Sequence, residues 1–429
     1  MRFSAILAAT VALLAIPVLG SPAGTLIDIK KHNGEIKEGS YIVTLKSNIS
    51  KTTHLKWLSQ HIDKDNITHP GWDRRILNGF AGTFSTKTLN MLRSSPDVES
   101  ISEDGIMTIQ ATQKDAPWGL ARISRDKKLA NQDPNALNFT YKYPTNAGSG
   151  VDIYIIDTGI FTGHSDFGGR ARWGATFGGY KDADGNGHGT HVAGTAAGTR
   201  FGVAKSANLI AVKVLSDRAC VIPDAGSSVS QYLYPTVIDG NADGIALQTW
   251  PEFGHVRISG MNFVLTSATT SGRPSIASMS LGGIVADAID DAVAALTNAG
   301  IHVTVSAGNN DVDAANQSPA RAPSAVTVGA TTIADAKAEI SNYGAVVDIW
   351  APGENIISAW IGSETAMHNI SGTSMATPHV AGLIASYISS VGNKSPAEMS
   401  AFVKDQSIKG AISGIPSGTI NALARQLRT

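Results

Sequence analysis

Cysteine is almost absent from this chain: Cys220 is the single one in 429 residues. One thiol cannot close an intramolecular disulfide, so a disulfide-framed fold is excluded and stability must come from packing and bound ions. As a nucleophile Cys220 also lacks the glycine-rich frame that surrounds Ser374. Charge is scarce as well. Only 16% of residues are charged, and 34 Lys and Arg against 35 Asp and Glu leave a net charge of −1. No broad attraction to nucleic acid or to an anionic membrane follows from that balance. Low charge, 44 glycines and a mean hydropathy of +0.01 exclude a coiled coil or extensive disorder and suit a folded chain with many tight turns. Long apolar runs are missing except at the start, where Arg2 precedes Ala5 to Leu19. That run is shorter than the roughly 20 residues of a membrane span. With Val18-Leu19-Gly20 as a cleavage point, residues 1–20 read as a secretory signal, so the protein is expected to be secreted and free of the membrane.

Between the signal and about residue 110, strand-like and helix-like patterns alternate. Tyr41 to Leu45 alternates as a strand, Lys51 to Ile62 has helical spacing, Gly79 to Phe84 is a second strand, Thr86 to Arg93 a second helix, and Val98 to Glu103 a further strand. These elements predict a small α+β domain over residues 21–110. Gln110 to Asp115 is polar and marks a boundary, with residues 111–429 forming a second, larger domain. There the strands become apolar on both faces: Val151 to Ile156, Leu209 to Leu215, Ser275 to Ser280 and Ile301 to Ser306, the last two separated by a helix at Ala286 to Ala299. Buried strands with crossover helices predict an α/β domain built on a parallel sheet, with its site at the carboxyl ends of the strands.

Three residues stand out in that domain. Asp157 follows the first strand in Asp157-Thr158-Gly159. His188 lies in Gly187-His188-Gly189-Thr190-His191, and Ser374 in Gly372-Thr373-Ser374-Met375-Ala376. Each has an ordinary structural reading alone: a buried aspartate caps turns, a histidine among glycines packs, and a serine before a helix caps it. Together, in the order Asp, His, Ser and each in a glycine-rich frame, they resemble the subtilisin-like serine proteases. Ser341-Asn342-Tyr343-Gly344 and Ala351-Pro352-Gly353 extend the likeness to the proteinase K branch of fungal type.

The resemblance implies a subtilisin-like catalytic domain with flanking helices, preceded by an inhibitory, chaperone-like propeptide in residues 21–110 that folds as a small α+β domain. It implies a serine endopeptidase made as a zymogen that cleaves itself near residue 110. Asp157, His188 and Ser374 would form the triad, and Asn309 would stabilise the oxyanion. Ser280, Leu281, Gly282, Gly283, Ala307 and Gly308 would line the pocket for the residue before the scissile bond, and Gly226, Ser227 and Ser228 would pair with the substrate backbone. Broad cleavage of protein and peptide substrates after large apolar or aromatic residues is expected. His191 and His379 are expected to be structural. No cofactor is expected for catalysis, but a structural calcium would be held by carbonyls of Pro323 and Ala325 and the carboxylate of Asp348. A monomer is expected, and sequons at Asn48, Asn66, Asn138, Asn316, Asn369 and Asn393 could carry glycans on the secreted protein.

The chain departs from the family between the strand ending at Leu215 and the following helix. Residues 218–223 and 231–257 interrupt it, and the expected helix resumes at Ile258. Two readings stand: an elaborated loop at the rim of the cleft, or translated intron sequence. The abrupt starts of both segments and the position of Cys220 within the first favour the second. Two other functions fit the sequence less well. A binding protein that has lost activity conflicts with an intact triad, and a lipase or esterase of the α/β-hydrolase type would need G-x-S-x-G and the order Ser, acid, His.

Overall fold

The computed structural model describes residues 26–31, 36–62, 67–69, 72–105, 110–218 and 251–427. Residues 1–20, Asn66, Cys220 and the trio Gly226, Ser227 and Ser228 lie outside them, as does most of both interrupting segments. The chain divides between Ile106 and Met107 into two compact units.

In the first unit, alternating sequence produces a five-stranded sheet in the order Ile29–Lys30, Val98–Gly105, Ile36–Leu45, Gly79–Thr83, Ile67–His69. Its core gathers Val43, Leu45, Phe80, Val98 and Ile101 from the strands with Leu58, Leu89 and Leu92 from two helices, Lys51–Leu58 and Thr86–Ser94. Ser50 and Ser85 start those helices by accepting N–H bonds from Thr53 and Thr88. The first helix is shorter than its spacing suggests. After Leu58 the bonds change to three-residue turns, Gln60 N–H to Trp57 and His61 N–H to Leu58, so the residues up to Ile62 form a turn.

The second unit holds a nine-stranded sheet. In chain order its strands are β1 (Asp152–Asp157), β2 (Ala171–Thr176), β3 (Asn208–Lys213), β4 (Ser275–Met279), β5 (His302–Ser306), β6 (Val326–Thr331), β7 (Ile349–Pro352), β8 (Ile408–Lys409) and β9 (Ala422–Leu423). The spatial order is β8-β9-β7-β6-β5-β4-β1-β3-β2, parallel throughout except for the β8–β9 pair. Among the described residues, six helices accompany it: α1 (Trp118–Ile123), α2 (His188–Ala197), α3 (Pro251–Ser271), α4 (Asp287–Asn298), α5 (Thr373–Val391) and α6 (Pro396–Gln406).

Both faces of β1 are buried. Ile153 and Ile155 join a core with Val192 of α2 and Val380 and Ile384 of α5, while Tyr154 and Ile156 join one with Val264 of α3 and Val293 of α4. The doubly apolar strands thus lie between two helical layers, which is the subtilisin-like α/β arrangement. Two details differ from the sequence reading. Gln110–Ala116 is a strand paired antiparallel with Phe139–Pro144 of the same unit, because Phe139 and Tyr141 bring the apolar side chains that the polar segment lacks. Helix α3 begins at Pro251 rather than Ile258. Proline suits the first position of a helix, and Val256 already packs into the core, only 5% exposed.

A buried ion pair fastens α1. Arg122 donates from Nε and Nη2 to the two carboxylate oxygens of Asp335 at 2.7 and 3.0 Å, and both residues are buried. Arg122→Ala would leave that carboxylate buried and uncompensated, at a cost of about 3–5 kcal/mol. Equilibrium urea unfolding should show the loss as a lower midpoint with an unchanged slope.

Candidate active site

Asp157 ends β1 and is fully buried. Its Oδ1 accepts the Thr158 N–H at 2.7 Å, and His188 Nδ1 lies 2.8 Å from Oδ1 and 3.0 Å from Oδ2. A carboxylate can only accept, so the imidazole proton sits on Nδ1 and Nε2 is left as the acceptor. Burial opposes the imidazolium, but the charge of Asp157, its hydrogen bond and the more distant charge of Asp184 together hold His188 above its ordinary pKa.

Small residues let these groups approach. Gly187 caps α2 with φ +103°, and a Cβ there would lie 2.6 Å from the Trp360 ring. A Cβ on Gly189 would lie 2.1 Å from the Gly159 carbonyl oxygen. The frame around them is polar and was not legible beforehand. Buried Asp184 accepts from Thr158 Oγ1 at 2.9 Å, Gly187 N–H at 2.9 Å and Thr190 N–H at 3.0 Å. Thr158 Oγ1 in turn accepts the Gly189 N–H at 2.9 Å. Lys213, fully buried at the end of β3, donates to the Thr158 carbonyl at 2.5 Å and to Asp217 at 2.6 Å. Asp217 also accepts the Gly185 N–H at 3.1 Å, which ties the Asp157 strand end to the loop before His188. An aspartate four residues ahead of His188 was the only available signal for Asp184.

Ser374 is the second residue of α5, where helical N–H groups have no partner within the helix. Its Oγ donates to the Ser280 carbonyl at 3.2 Å, and Ser280 Oγ donates to the Ser374 carbonyl at 2.8 Å. The hydroxyl hydrogen therefore points at Ser280 in this rotamer, and rotation about one side-chain bond is needed to turn it toward an acceptor such as an imidazole. Asn309 follows β5. Its Oδ1 accepts from Thr373 N–H at 2.8 Å and Thr373 Oγ1 at 2.9 Å, which directs Nδ2 the other way. A Cβ placed on Gly372 would lie 3.4 Å from Asn309 Nδ2 and 3.6 Å from the Ser374 backbone nitrogen. Two N–H donors thus border one space beside Ser374, kept open by a glycine. Buried Asn342 steadies the Asn309 loop, donating to the Ala307 carbonyl at 2.9 Å and accepting from Asn310 and Val312 N–H at 3.0 and 3.1 Å.

The expected pocket walls are neighbours. Ser306 Oγ donates to the Leu281 carbonyl at 3.3 Å, and the Gly283 strand pairs with Gln317–Ser318. The Gln317 Oε1 atom lies 2.1 Å from a Cβ position on Gly308 and 3.7 Å from one on Gly282, so an amide stands against both walls. The sequence reading did not include Gln317. His191 and His379 are fully buried and bonded to the carbonyls of Ile356 and Met375 at 2.9 and 2.8 Å. Burial pushes them down to about 3 and about 4, so both are neutral at neutral pH.

The expected calcium ligands are differently engaged. Asp348 Oδ2 accepts the Thr327 N–H at 2.9 Å, and Oδ1 accepts from Lys404 Nζ at 2.9 Å. Calcium takes about six to eight oxygens and a neighbouring ammonium repels it. With Lys404 in place, the residues do not fit the ion.

A serine hydrolase with a buried Asp-His pair on an open parallel sheet is the class of protein these features define. Residues 148–421 match the Subtilase family, and residues 40–110 match the Peptidase inhibitor I9 family. The chain is 39% identical to the cuticle-degrading protease of Metarhizium anisopliae over 99% of each chain. It is also 39% identical to proteinase R of Parengyodontium album, over 92% of this chain and 88% of that one. A crystal structure of a cold adapted subtilisin-like serine proteinase superposes with a TM-score of 0.59 at 37% identity, covering 73% of this chain and all of the other. The chain belongs to the subtilase family of serine proteases and carries an I9-type inhibitor propeptide ahead of its protease domain.

Proposed function

We propose that the protein is a secreted, self-processing endopeptidase in which Ser374 is the nucleophile, His188 the general base and then acid, and Asp157 its orienting partner. The observation that carries this reading is the buried Asp157–His188 pair with its proton fixed on Nδ1, set in one unit with the two N–H donors beside Ser374. Ser374 Oγ attacks the peptide carbonyl and its proton passes to His188 Nε2. The carbonyl oxygen, now negative, takes hydrogen bonds from Asn309 Nδ2 and the Ser374 N–H. The tetrahedral intermediate collapses as His188 protonates the leaving amine, and water then releases the acyl group by the same route.

Residues 1–20 direct secretion and residues 21–110 inhibit the enzyme until cleavage near residue 110. Among the described residues, no helix is long and apolar enough to cross a membrane. Small pocket-wall residues favour large apolar or aromatic side chains, and pairing with Gly226, Ser227 and Ser228 favours extended segments. The mature enzyme, residues 111–429, acts as a monomer. Glycans suit the exposed Asn48, Asn138 and Asn316, whereas Asn369 already donates to Asn135 at 2.6 Å. The resemblance gives calcium a structural role rather than a chemical one, and the residues assigned to that role carry a cation of their own.

A fluorophosphonate probe tests the reading. Secreted, processed protein should be labelled on the peptide containing Ser374 and should hydrolyse a chromogenic peptide with an aromatic residue before the scissile bond. Folded, processed protein that takes no label would sink it. Asn309→Leu should lower kcat roughly a hundred- to a thousand-fold with little change in KM, because the lost hydrogen bond belongs to the transition state. Steady-state kinetics on the same peptide would show it.

A further inference from the structure

We propose that Lys404 stands in for calcium in this chain, supplying from helix α6 the positive charge that the resemblance assigns to an ion at Asp348. The carboxylate of Asp348 is stapled to β6 on one side: its own N–H donates to the Thr327 carbonyl at 2.9 Å while its Oδ2 accepts the Thr327 N–H at 2.9 Å. Only Oδ1 is left for a cation, and Lys404 Nζ donates to it at 2.9 Å.

This lysine is not a loose surface arm. Its helix starts at a capping box between Ser395 and Glu398 and is anchored by the buried Met399 and Val403, the latter adjacent to Lys404. Lys404 lies in the last turn, where the helix dipole favours a cation, and its carbonyl accepts from Ser407 Oγ at 2.7 Å. The side chains of Lys404 and Asp348 are 35% and 22% exposed, so the pair is partly shielded from water. Asp348 and Lys404 together are neutral. A divalent ion added to them would leave the site with a charge of two, with one carboxylate to hold it.

The segment Pro323 to Ala325, which the resemblance assigns to the ion, is retained in the sequence. Ser324, between Pro323 and Ala325, has its Oγ buried without a hydrogen-bond partner among the described residues. The lysine, rather than the loss of the surrounding oxygens, is therefore what excludes the ion, and its removal should restore a calcium site.

Calcium alone is the probe, titrated into the secreted, processed protein while binding and the thermal midpoint are followed. Wild type and Asp348→Asn should bind the same number of calcium ions, and chelation should shift their midpoints equally. Lys404→Met keeps the aliphatic stem and should gain one site, at least about tenfold tighter than anything Asp348 provides in wild type. Its midpoint should rise with calcium, and Asp348→Asn in that background should abolish both effects. Lys404→Arg retains the charge and should behave as wild type, which separates the ion effect from damage to the helix. Asp348-dependent calcium binding in wild type would overturn the proposal. So would a folded Lys404→Met chain that gains no site.

Discussion

Ser374→Ala should reduce kcat by about a million-fold while leaving the fold intact, the size of loss subtilisin itself suffers when its nucleophile is removed. The substitution deletes one oxygen whose hydrogen bond in the resting enzyme goes to the Ser280 carbonyl at 3.2 Å, so stability should hardly move. What remains is the pair of N–H donors beside Gly372, which can still stabilise an oxyanion formed by water attack. Kinetics on a chromogenic peptide measures the loss, and thermal unfolding checks the fold. A second readout comes from maturation. If the chain cuts itself near residue 110, the Ser374→Ala protein should accumulate at precursor length. An active Ser374→Ala enzyme would remove Ser374 from the mechanism.

Asp157→Asn should cost about ten-thousand-fold in kcat, for a reason visible in the hydrogen bonds. Oδ1 of Asp157 is fixed by the Thr158 N–H, so a carboxamide in this place keeps its oxygen there, 2.8 Å from His188 Nδ1, and sets its amino group 3.0 Å from the same nitrogen, where an N–H donor competes for it. Whenever Nδ1 accepts from that amino group, the ring proton moves to Nε2 and the base cannot take a proton from serine. The pH profile should change as well. Deprotonated His188 is the active form, so kcat/KM rises with pH through its pKa, which the Asp157 charge holds above the ordinary value of about 6.5. Without that charge, burial dominates and lowers the pKa. The acid limb should therefore move to lower pH even as the plateau falls, and a limb that stays in place would show that Asp157 does not set the charge state of His188.

What was readable in the sequence follows from physical range. The core strands announce themselves because a strand buried on both faces must be apolar throughout, and β1, β3, β4 and β5 fall within a residue or two of their expected limits. The glycines around His188 and Ser374 signal close approach directly. Gln110 to Asp115 reads as a boundary in the sequence because the partner of the strand it forms, Phe139–Pro144, supplies the burial and leaves no trace in the segment itself. The same holds for the polar framework. Asp184 and Lys213 are fixed by residues on other elements, Asn342 bonds a loop 30 or more residues away, and Lys404 meets Asp348 across 56 positions. Isolated polar residues have no period, so their partners become visible only once the chain is folded.

The clasp between Lys213, Thr158 and Asp217 has a mechanical consequence. Asp217 is the last charged anchor before Arg218, where the chain leaves toward residues 219–250, and α3 takes it up again at Pro251. Asp217 binds both the lysine rooted in β3 and, through the Gly185 N–H, the loop that aims His188, so a displacement arriving through Arg218 reaches strand and loop together. Closing a longer loop adds free energy only logarithmically, so a change in the length of chain beyond this border is felt in the placement of the histidine before it is felt in stability.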